Sequence, residues 1–282
     1  MTVIGIFGPT ASGKSALAQE VADRHEGELV SADAMQVYRG LPILTNQSPA
    51  RLVGIWPLDT EASVGEYAPL AHAAIDEILA AGRMPIVVGG TGLYFRAALG
   101  ELSLPPAPEP GARERWAAAY DADRTAAHER LRELDPAAAE AVHPNDRRRV
   151  VRALELADAG TSLVPIAETL WSAETRHPTL VVGLDPPKDE LDRRIVERTH
   201  AMFAAGVQDE VRAALTAPVS LTALKTLGLA EVADLPREQA IDAIIARTRR
   251  YAAYQRKWMR RIPGLVIVEN ADDVIALARA RQ

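Results

Sequence analysis

Short hydrophobic runs alternate with amphipathic stretches over the first hundred residues. The runs VIGIFG, ELVSAD and PIVVGG predict buried strands. Helical periodicity between and after them predicts helices over residues 15–24, residues 65–81 and from Leu93 onward. Strands that alternate with helices favour an α/β fold, with a parallel sheet flanked by helices.

This alternation breaks at LSLPPAPEPG, residues 102–111, where prolines interrupt regular structure. From residue 112 to about residue 171 only helical periodicity is visible, which predicts an all-helical insertion. TLVVGLDP then predicts a strand that returns to the sheet. Helices over residues 188–214 and 237–261 and a last strand in GLVIVEN complete the pattern. We therefore expect an α/β core formed by residues 1–108 and 175–282, and a helical insertion domain over residues 109–174.

Composition excludes several classes of protein. The chain has 282 residues, of which 48% are hydrophobic, so it can bury a sizeable core. It has no cysteine, which excludes disulfides and thiolate metal sites. No apolar run approaches the roughly 18 residues that a membrane span needs. We expect a soluble cytoplasmic protein that makes no membrane contact and is a monomer.

Charge is distributed unevenly. The net charge of −6 argues by itself against a nucleic-acid partner, but binding needs only a basic patch. HPNDRRRVVR and RTRRYAAYQRKWMRR are both rich in arginine, and the second contains no acid. Its aromatics Tyr251, Tyr254 and Trp258 share one helix face, for which core packing is the favoured interpretation over base stacking.

The strongest local signal is GPTASGKS, which matches G-x-x-x-x-G-K-[ST] between a predicted strand and a predicted helix. Glycines let successive backbone amides point into one concavity at a helix N-terminus, Lys14 can reach terminal phosphates, and Ser15 can bind Mg²⁺. The motif predicts a P-loop NTPase-like core. The expected phosphate-binding residues are Gly8, Pro9, Thr10, Ala11, Ser12, Gly13, Lys14 and Ser15.

The acid that ordinary P-loop ATPases and GTPases place at the end of a second strand is missing, because PIVVGG ends in Gly89 and Gly90. The strand ELVSAD does end in an acid, Asp33, at the edge of the sheet where α/β folds bind ligands. Asp33 is a candidate for holding metal-bound water or for acting as a base toward an acceptor. The residues alone leave open whether the loop holds a nucleoside triphosphate or another diphosphate.

Motifs across most of the chain, in this order, resemble the tRNA dimethylallyltransferases, also called tRNA isopentenyltransferases. The motifs are FGPTASGKSALA, SADAMQVYRGLPI, PIVVGGTGLYFRAAL, HPNDRRRVVRALEL, RRIVERTHAMFAAGVQDEVRAAL and TRRYAAYQRKWMRR. The resemblance implies transfer of a dimethylallyl group from dimethylallyl diphosphate to the exocyclic N6 amine of the adenosine 3′ of the anticodon. It also implies Mg²⁺ as cofactor, the anticodon stem-loop of tRNA as partner, and release of diphosphate.

The resemblance also assigns roles to residues. Asp33 would be the base, with Thr10 and Lys14 as the other catalytic residues, and Ser15 would hold the metal. Arg212 is the expected diphosphate contact in a segment that also contains Arg194 and Arg198, whose roles stay unassigned. The implied tRNA-binding residues are Asp33, Ala34, Met35, Gln36, Thr91, Arg113, Arg148, Arg149 and Arg152.

Two alternatives remain at the level of sequence. A related enzyme could prenylate free adenine nucleotides, although a small acceptor has no need of the long arginine-rich insertion. A small-molecule kinase could use the same loop, with Asp33 as base for a hydroxyl group.

Overall fold

The computed structural model describes residues 2–104, 109–164 and 169–280. The chain divides into two compact units. The first unit combines Met1–Gly100 with Ala173–Gln282, and the second is Glu101–Ser172. We call them the core unit and the insertion unit.

Within the described residues, the core unit contains a five-stranded sheet in the order β2-β3-β1-β4-β5, and every neighbouring pair is parallel. In the centre, Ile4 of β1 lies opposite Ile86 on one side and Leu180 on the other. The predicted α/β fold with a parallel sheet is confirmed. The strands are β1 (Val3–Phe7), β2 (Gly27–Ser31), β3 (Met84–Gly89), β4 (Thr179–Gly183) and β5 (Val266–Ile267).

Four helices precede the insertion unit: α1 (Lys14–His25), α2 (Pro42–Thr45), α3 (Val64–Ala80) and α4 (Gly92–Leu99). Helix α3 begins at a capping box, in which the Ser63 hydroxyl accepts from the Glu66 amide and the Glu66 carboxylate accepts from the Ser63 amide. This cap places the start of α3 at Val64, one residue before the sequence predicted.

All regular structure in the described part of the insertion unit is helical. They are α5 (Ala112–Ala122), α6 (Arg124–Leu134), α7 (Pro136–Ala141) and α8 (Arg147–Asp158). Asp123, Asp135 and Asp146 cap α6, α7 and α8 with their carboxylates. Leu131 and Leu154 lie at the centre of the unit's own hydrophobic core. The unit therefore has the local features of an independent helical domain.

The helices after the insertion unit are α9 (Lys188–Ala204), α10 (Val207–Ala214), α11 (Leu229–Asp234), α12 (Arg237–Met259) and α13 (Ala271–Arg279). The sequence predicted continuous helix over residues 188–214, but the chain breaks between α9 and α10. Gly206 has φ 92°, a left-handed conformation that ends α9 and starts α10.

Helices cover both faces of the sheet. Ile4 and Ile6 of β1 pack on one face with side chains of α1 and α13, and Val3 and Phe7 pack on the other face with α3 and α4. Because β1 is buried on both faces, its sequence is an apolar run rather than an alternating pattern. None of the helices in the described ranges is both long and apolar enough to cross a bilayer.

Candidate active site

The glycine loop, residues 8–15, lies at the carboxyl end of the central strand β1. Because β3 and β4 flank β1 on opposite sides, the loop sits where the strand order reverses, the usual ligand position in open α/β sheets. Asp33 follows β2, and Thr91 follows β3, at the same edge of the sheet. The topology thus brings three separate sequence motifs together.

The shape of the loop suits an anion. A Cβ on Gly8 would lie 2.7 Å from Ser12 Oγ, so the loop closes tightly on itself. Gly13 has φ 96°, and α1 begins after it with no side-chain cap and no acid in its first turn. The amides at the start of α1 are therefore left for a ligand. Ser12 Oγ is itself buried and has no hydrogen-bond partner among the described residues.

Lys14 is the cation of the loop. Its Nζ donates to the Pro9 carbonyl at 3.3 Å. Although the residue as a whole is partly exposed, its ammonium group is enclosed, and desolvation lowers its pKa to about 8. The charge of Asp33 opposes this shift, and the charge of Arg198 adds to it. An anion bound in the loop would restore the protonated form.

Two arginines of α9 contact the loop. Arg194 donates to the Ser12 carbonyl at 2.8 Å, and Arg198 donates to Thr10 Oγ1 at 3.0 Å. Burial lowers the pKa of Arg198, and the charge of Asp33 partly offsets that effect. Lys14 and Arg198 make the loop positive, while the charge of Arg194 is paired with Glu190.

Among the described residues no hydrogen bond joins Arg212 to the loop, and its role as a diphosphate contact stays a prediction. Its side chain is 74% exposed and pairs with Asp209 one turn earlier on α10. The break at Gly206 separates α10 from α9, the helix whose arginines do reach the loop. Arg194 and Arg198, to which the sequence analysis gave no role, are the arginines whose hydrogen bonds reach the loop.

Asp33 faces this group of cations. Its Oδ1 accepts a hydrogen bond from the Met35 amide at 3.0 Å, which fixes the carboxylate in a tight turn. Burial raises the pKa of Tyr251, and the nearby negative charge of Asp33 raises it further. Asp33 thus lies between the loop cations and a buried phenol.

Thr91 positions the segment that carries Asp33. Its Oγ1 accepts from the Ala34 amide at 3.2 Å and lies 3.5 Å from the Tyr251 hydroxyl. A Cβ on the next residue, Gly92, would lie 2.0 Å from Cε3 of Trp258. The turn at residues 89–92 therefore packs directly against α12. A Cβ on Gly89 would lie 2.2 Å from the Ala32 carbonyl oxygen and one on Gly90 2.3 Å from Gln255 Nε2, so neither position has space for the acid of ordinary P-loop enzymes.

Gln255 is a site residue that the sequence analysis missed. Its Oε1 accepts from the Thr10 amide at 2.8 Å, and its Nε2 donates to the Gly90 carbonyl at 2.9 Å. The residue is only 1% exposed. It therefore ties the glycine loop to the turn at residues 89–92. Gln255 lies in the motif TRRYAAYQRKWMRR, of which the sequence analysis interpreted only the aromatic residues.

The remaining residues of the Asp33 segment lie beside the site. Ala34 and Met35 are half-buried. The Gln36 amide accepts from Ser31 Oγ and donates to the carbonyls of Thr45 and Asn46. The side-chain amide of Gln36, a residue predicted to contact tRNA, thus holds the following loop in place.

The arginines predicted to bind tRNA behave differently from one another in the insertion unit. Arg113 and Arg152 each bind one oxygen of Glu155, at 2.9 Å, and the Glu155 side chain is 1% exposed. Arg148 and Arg149 are exposed, and no described acidic residue lies within ion-pair distance of them. The buried carboxylate of Glu155 fixes Arg113 and Arg152, whereas Arg148 and Arg149 are available to a ligand.

The three aromatics of α12 also separate into different environments. Tyr251 and Trp258 contact the turn at residues 89–92, in agreement with core packing. Tyr254 is 54% exposed, with its ring centroid 6.5 Å from that of Trp258. The single helix face of the sequence prediction therefore divides into a buried part and an exposed part.

Comparison with known proteins adds independent information. The model of the family described as IPP transferase matches residues 36–262. The tRNA dimethylallyltransferase of Salinispora tropica is 41% identical over 96% of this chain and 89% of its own length. That of Anaeromyxobacter dehalogenans is 43% identical over 99% of this chain and 96% of its own.

Solved structures resemble this chain over nearly its whole length. The full-length tRNA isopentenylpyrophosphate transferase from Bacillus halodurans has a TM-score of 0.69 and 30% identity, covering 99% of this chain and 95% of its own. A eukaryotic dimethylallyltransferase acting on tRNA has a TM-score of 0.77 and 26% identity, covering 99% of this chain and 77% of its own.

Proposed function

This chain belongs to the IPP transferase family and catalyses tRNA prenylation, and we propose that it does so by moving a dimethylallyl group from dimethylallyl diphosphate to N6 of the adenosine 3′ of the anticodon. The resemblance predicted from the sequence motifs is confirmed. The observation that best supports the proposed chemistry is a loop of cations and free amides that faces one carboxylate, Asp33.

The glycine loop would hold the diphosphate leaving group. When the C–O bond of an allylic diphosphate breaks, negative charge grows on the leaving oxygens and positive charge on the allylic carbon. Lys14, Arg198 and the amides at the start of α1 lie where they would stabilise that growing negative charge. The Thr10 hydroxyl, which accepts from Arg198, can donate its own proton to a phosphate oxygen.

Ser15 would contribute to a Mg²⁺ site. Among the described residues there is no cluster of three or more His, Cys, Asp or Glu side chains that could hold a metal alone. This fits Mg²⁺, which commonly binds through few protein ligands, substrate phosphates and water. Ser15 is partly exposed in the first turn of α1, beside the expected phosphates. The ion would neutralise charge on the leaving group.

Asp33 would act as the base. As the bond between N6 and the allylic carbon forms, the amine acquires a positive charge and must lose a proton, which Asp33 can accept. The Met35 amide fixes the Asp33 carboxylate, and the Thr91 hydroxyl ties the Asp33 segment to the turn after β3, at the edge of the sheet where the glycine loop also lies. Ala34, Met35 and Gln36 would line the approach of the acceptor base.

The insertion unit would supply further tRNA contacts. Arg148 and Arg149 are exposed and have no acidic partner among the described residues, so they can meet phosphates at little cost in lost ion pairs. Arg113 and Arg152, which the Glu155 carboxylate holds in place, would add positive charge to the same tRNA-binding surface. A base within the anticodon stack must be flipped out before it reaches a carboxylate held in this way.

The test is transfer of radiolabel from dimethylallyl diphosphate to unmodified tRNA that carries adenosine 3′ of the anticodon. AMP and ATP serve as parallel acceptors, and a tRNA with guanosine at that position is the matched control. We expect label only in the adenosine-containing tRNA, with loss of label when Mg²⁺ is chelated. Label in AMP alone would overturn the proposed acceptor, and label in the guanosine-containing tRNA would overturn the proposed position.

A further inference from the structure

We propose that an exposed face of α12 binds the phosphate backbone of the substrate tRNA, as a surface separate from the insertion unit. This inference rests on tRNA being the acceptor. The face, which we call the α12 stripe, consists of Arg250, Tyr254, Lys257 and Arg260. None of these residues belongs to the catalytic or binding set that the sequence motifs suggested.

Helical spacing brings the α12 stripe together. Arg250, Tyr254 and Lys257 are four and three residues apart, which places them on one side of the helix, and Arg260 follows at the C-cap. All four residues are exposed. The Tyr254 ring is 54% exposed, so one aromatic surface is open between two cations. Basic groups interleaved with an exposed ring are suited to RNA, because phosphates and base faces alternate along a strand.

Ion pairing distinguishes the stripe from three of the other four cations of α12, and the fourth, Arg237, lies over the Phe203 ring at the start of the helix. Arg247 pairs with Glu231, Arg249 with Asp192 and Arg256 with Asp185. By contrast, no acidic side chain in residues 2–104, 109–164 and 169–280 lies within ion-pair distance of the stripe's cations. The other cations of α12 thus have partners on neighbouring elements, whereas those of the stripe are exposed to solvent.

This concentration of charge calls for an anionic partner. The chain carries a net charge of −6, yet residues 247–261 contain no acid. Neighbouring like charges repel one another, so an unpaired basic stripe lowers stability slightly unless a ligand neutralises it. A polyanion releases counterions on binding such a stripe, which makes the contact favourable at moderate salt.

The location of the stripe fits a substrate whose reactive base lies at Asp33. Tyr251 and Trp258, on the neighbouring side of the same helix, contact Thr91 and Gly92. The Tyr254 and Trp258 rings meet edge to face, which links the exposed stripe to that buried side. The stripe thus lies within about one helix diameter of the turn that positions the Asp33 segment. Phosphates flanking a flipped base can reach across that distance.

The test compares two double variants that lose the same charge. Arg250→Gln with Lys257→Gln removes two unpaired cations, and Arg193→Gln with Arg249→Gln removes two exposed cations that pair with Glu197 and Asp192. Affinity for unmodified tRNA is measured by fluorescence anisotropy from 50 to 250 mM KCl. We expect the stripe variant to bind tRNA roughly tenfold more weakly. The magnitude of its slope of log affinity against log salt should be smaller than that of the wild type by about 1.5, because two phosphate contacts are lost. The control variant should keep the wild-type slope.

Aromatic stacking is tested separately at Tyr254. Tyr254→Ala should weaken tRNA binding about fivefold, and Tyr254→Phe, which keeps the ring, should bind like the wild type. Equal affinities and salt slopes in the stripe variant, the control variant and the wild type would overturn the proposal. Steady-state measurement of dimethylallyl transfer distinguishes a failure of the proposed function from a failure of the stripe proposal. A wild type that fails to label tRNA contradicts the proposed function, whereas a stripe variant with unchanged KM for tRNA contradicts only the stripe.

Discussion

The side-chain carbonyl of Gln255 accepts a hydrogen bond from the backbone amide of Thr10 at 2.8 Å, although the two residues are 245 positions apart in the sequence. The same side chain donates to the Gly90 carbonyl at 2.9 Å. One buried amide on a helix near the end of the chain therefore sets the distance between the glycine loop and the turn that holds the Asp33 segment.

Gln255→Leu should lower both diphosphate affinity and stability. Leucine leaves the Thr10 amide and the Gly90 carbonyl without their partner, which costs about 1–3 kcal/mol of unfolding free energy. Because the loop is then free to shift, we expect diphosphate to bind about tenfold more weakly. Urea denaturation and calorimetric titration measure the two effects. Gln239→Leu, an exposed position on the same helix, is the control. Unchanged diphosphate affinity in Gln255→Leu would show that the amide does not position the loop.

Asp33→Asn should abolish most turnover while leaving the fold intact. The asparagine carbonyl can still accept from the Met35 amide, so the turn survives, but the amide cannot take a proton. Loss of a general base lowers kcat by about 10²–10⁴. Diphosphate should bind as tightly as before or more tightly, because a negative charge near Lys14 is gone. Single-turnover transfer and calorimetry check both effects, with Asp59→Asn at an exposed position as control.

Lys14 should make diphosphate binding depend on pH. In the folded protein the pKa of Lys14 is about 8, against an ordinary value of 10.5, so the free protein loses the ammonium charge as pH rises through 8. Relative to Lys14→Met, which does not titrate, the wild-type affinity for diphosphate should therefore fall above pH 8. Calorimetry from pH 6.5 to 9.5 measures the difference at each pH. An affinity ratio between wild type and variant that stays constant with pH would contradict a lowered pKa.

The lowered pKa of Lys14 should make stability rise with pH, whereas it makes diphosphate affinity fall. Between about pH 8 and 10.5 the unfolded chain binds the Lys14 proton more strongly than the folded chain, so the unfolding free energy rises with pH in that window. We expect this rise in the ligand-free wild type and its absence in Lys14→Met. Urea denaturation at pH 7.5 and pH 9.5 gives the comparison.

Gly92→Ala should destabilise the core unit. The added methyl carbon would lie 2.0 Å from Cε3 of Trp258, so the turn or α12 must move. Overpacking of this kind costs about 1–3 kcal/mol. Thermal and chemical denaturation measure the loss. The matched control is Gly65→Ala on α3, where the nearest atom to the new carbon is Ser63 Oγ at 3.8 Å. The control should be neutral or more stable by up to about 1 kcal/mol.

Glu155→Gln should loosen the insertion unit and weaken tRNA binding together. The buried carboxylate binds Arg113 and Arg152, and a neutral amide can satisfy these cations less well. Hydrogen exchange across α5 and α8 should quicken, while exchange in the sheet of the core unit stays unchanged. Glu114→Gln, an exposed position on α5, serves as control. Wild-type tRNA affinity despite faster exchange would show that Arg113 and Arg152 do not bind tRNA.

The sequence by itself determined the plan of the molecule. Apolar runs bounded by turn residues predicted β1 to β4 because strands buried on both faces cannot alternate with polar residues. The pattern GPTASGKS predicted the anion loop because glycines, a lysine and a serine in front of a helix together provide the bend, the cation and the hydroxyl of a phosphate cradle. The sequence also identified Asp33 as a candidate site residue, because open α/β sheets bind ligands at the carboxyl ends of their strands.

Tertiary structure alone decided which distant groups meet at that loop. Gln255 stands in a motif of the sequence, but the motif gives it no role, because a buried glutamine matters only through the two backbone groups that the fold places beside it. Arg198 and Arg212 are equally basic in sequence. The left-handed break at Gly206 ends α9, the helix whose Arg198 reaches the loop, and leaves Arg212 on the exposed surface of the next helix. Hydrogen bonds and burial depend on where residues lie relative to one another in space. The sequence pattern predicts those positions only within a single helix or strand.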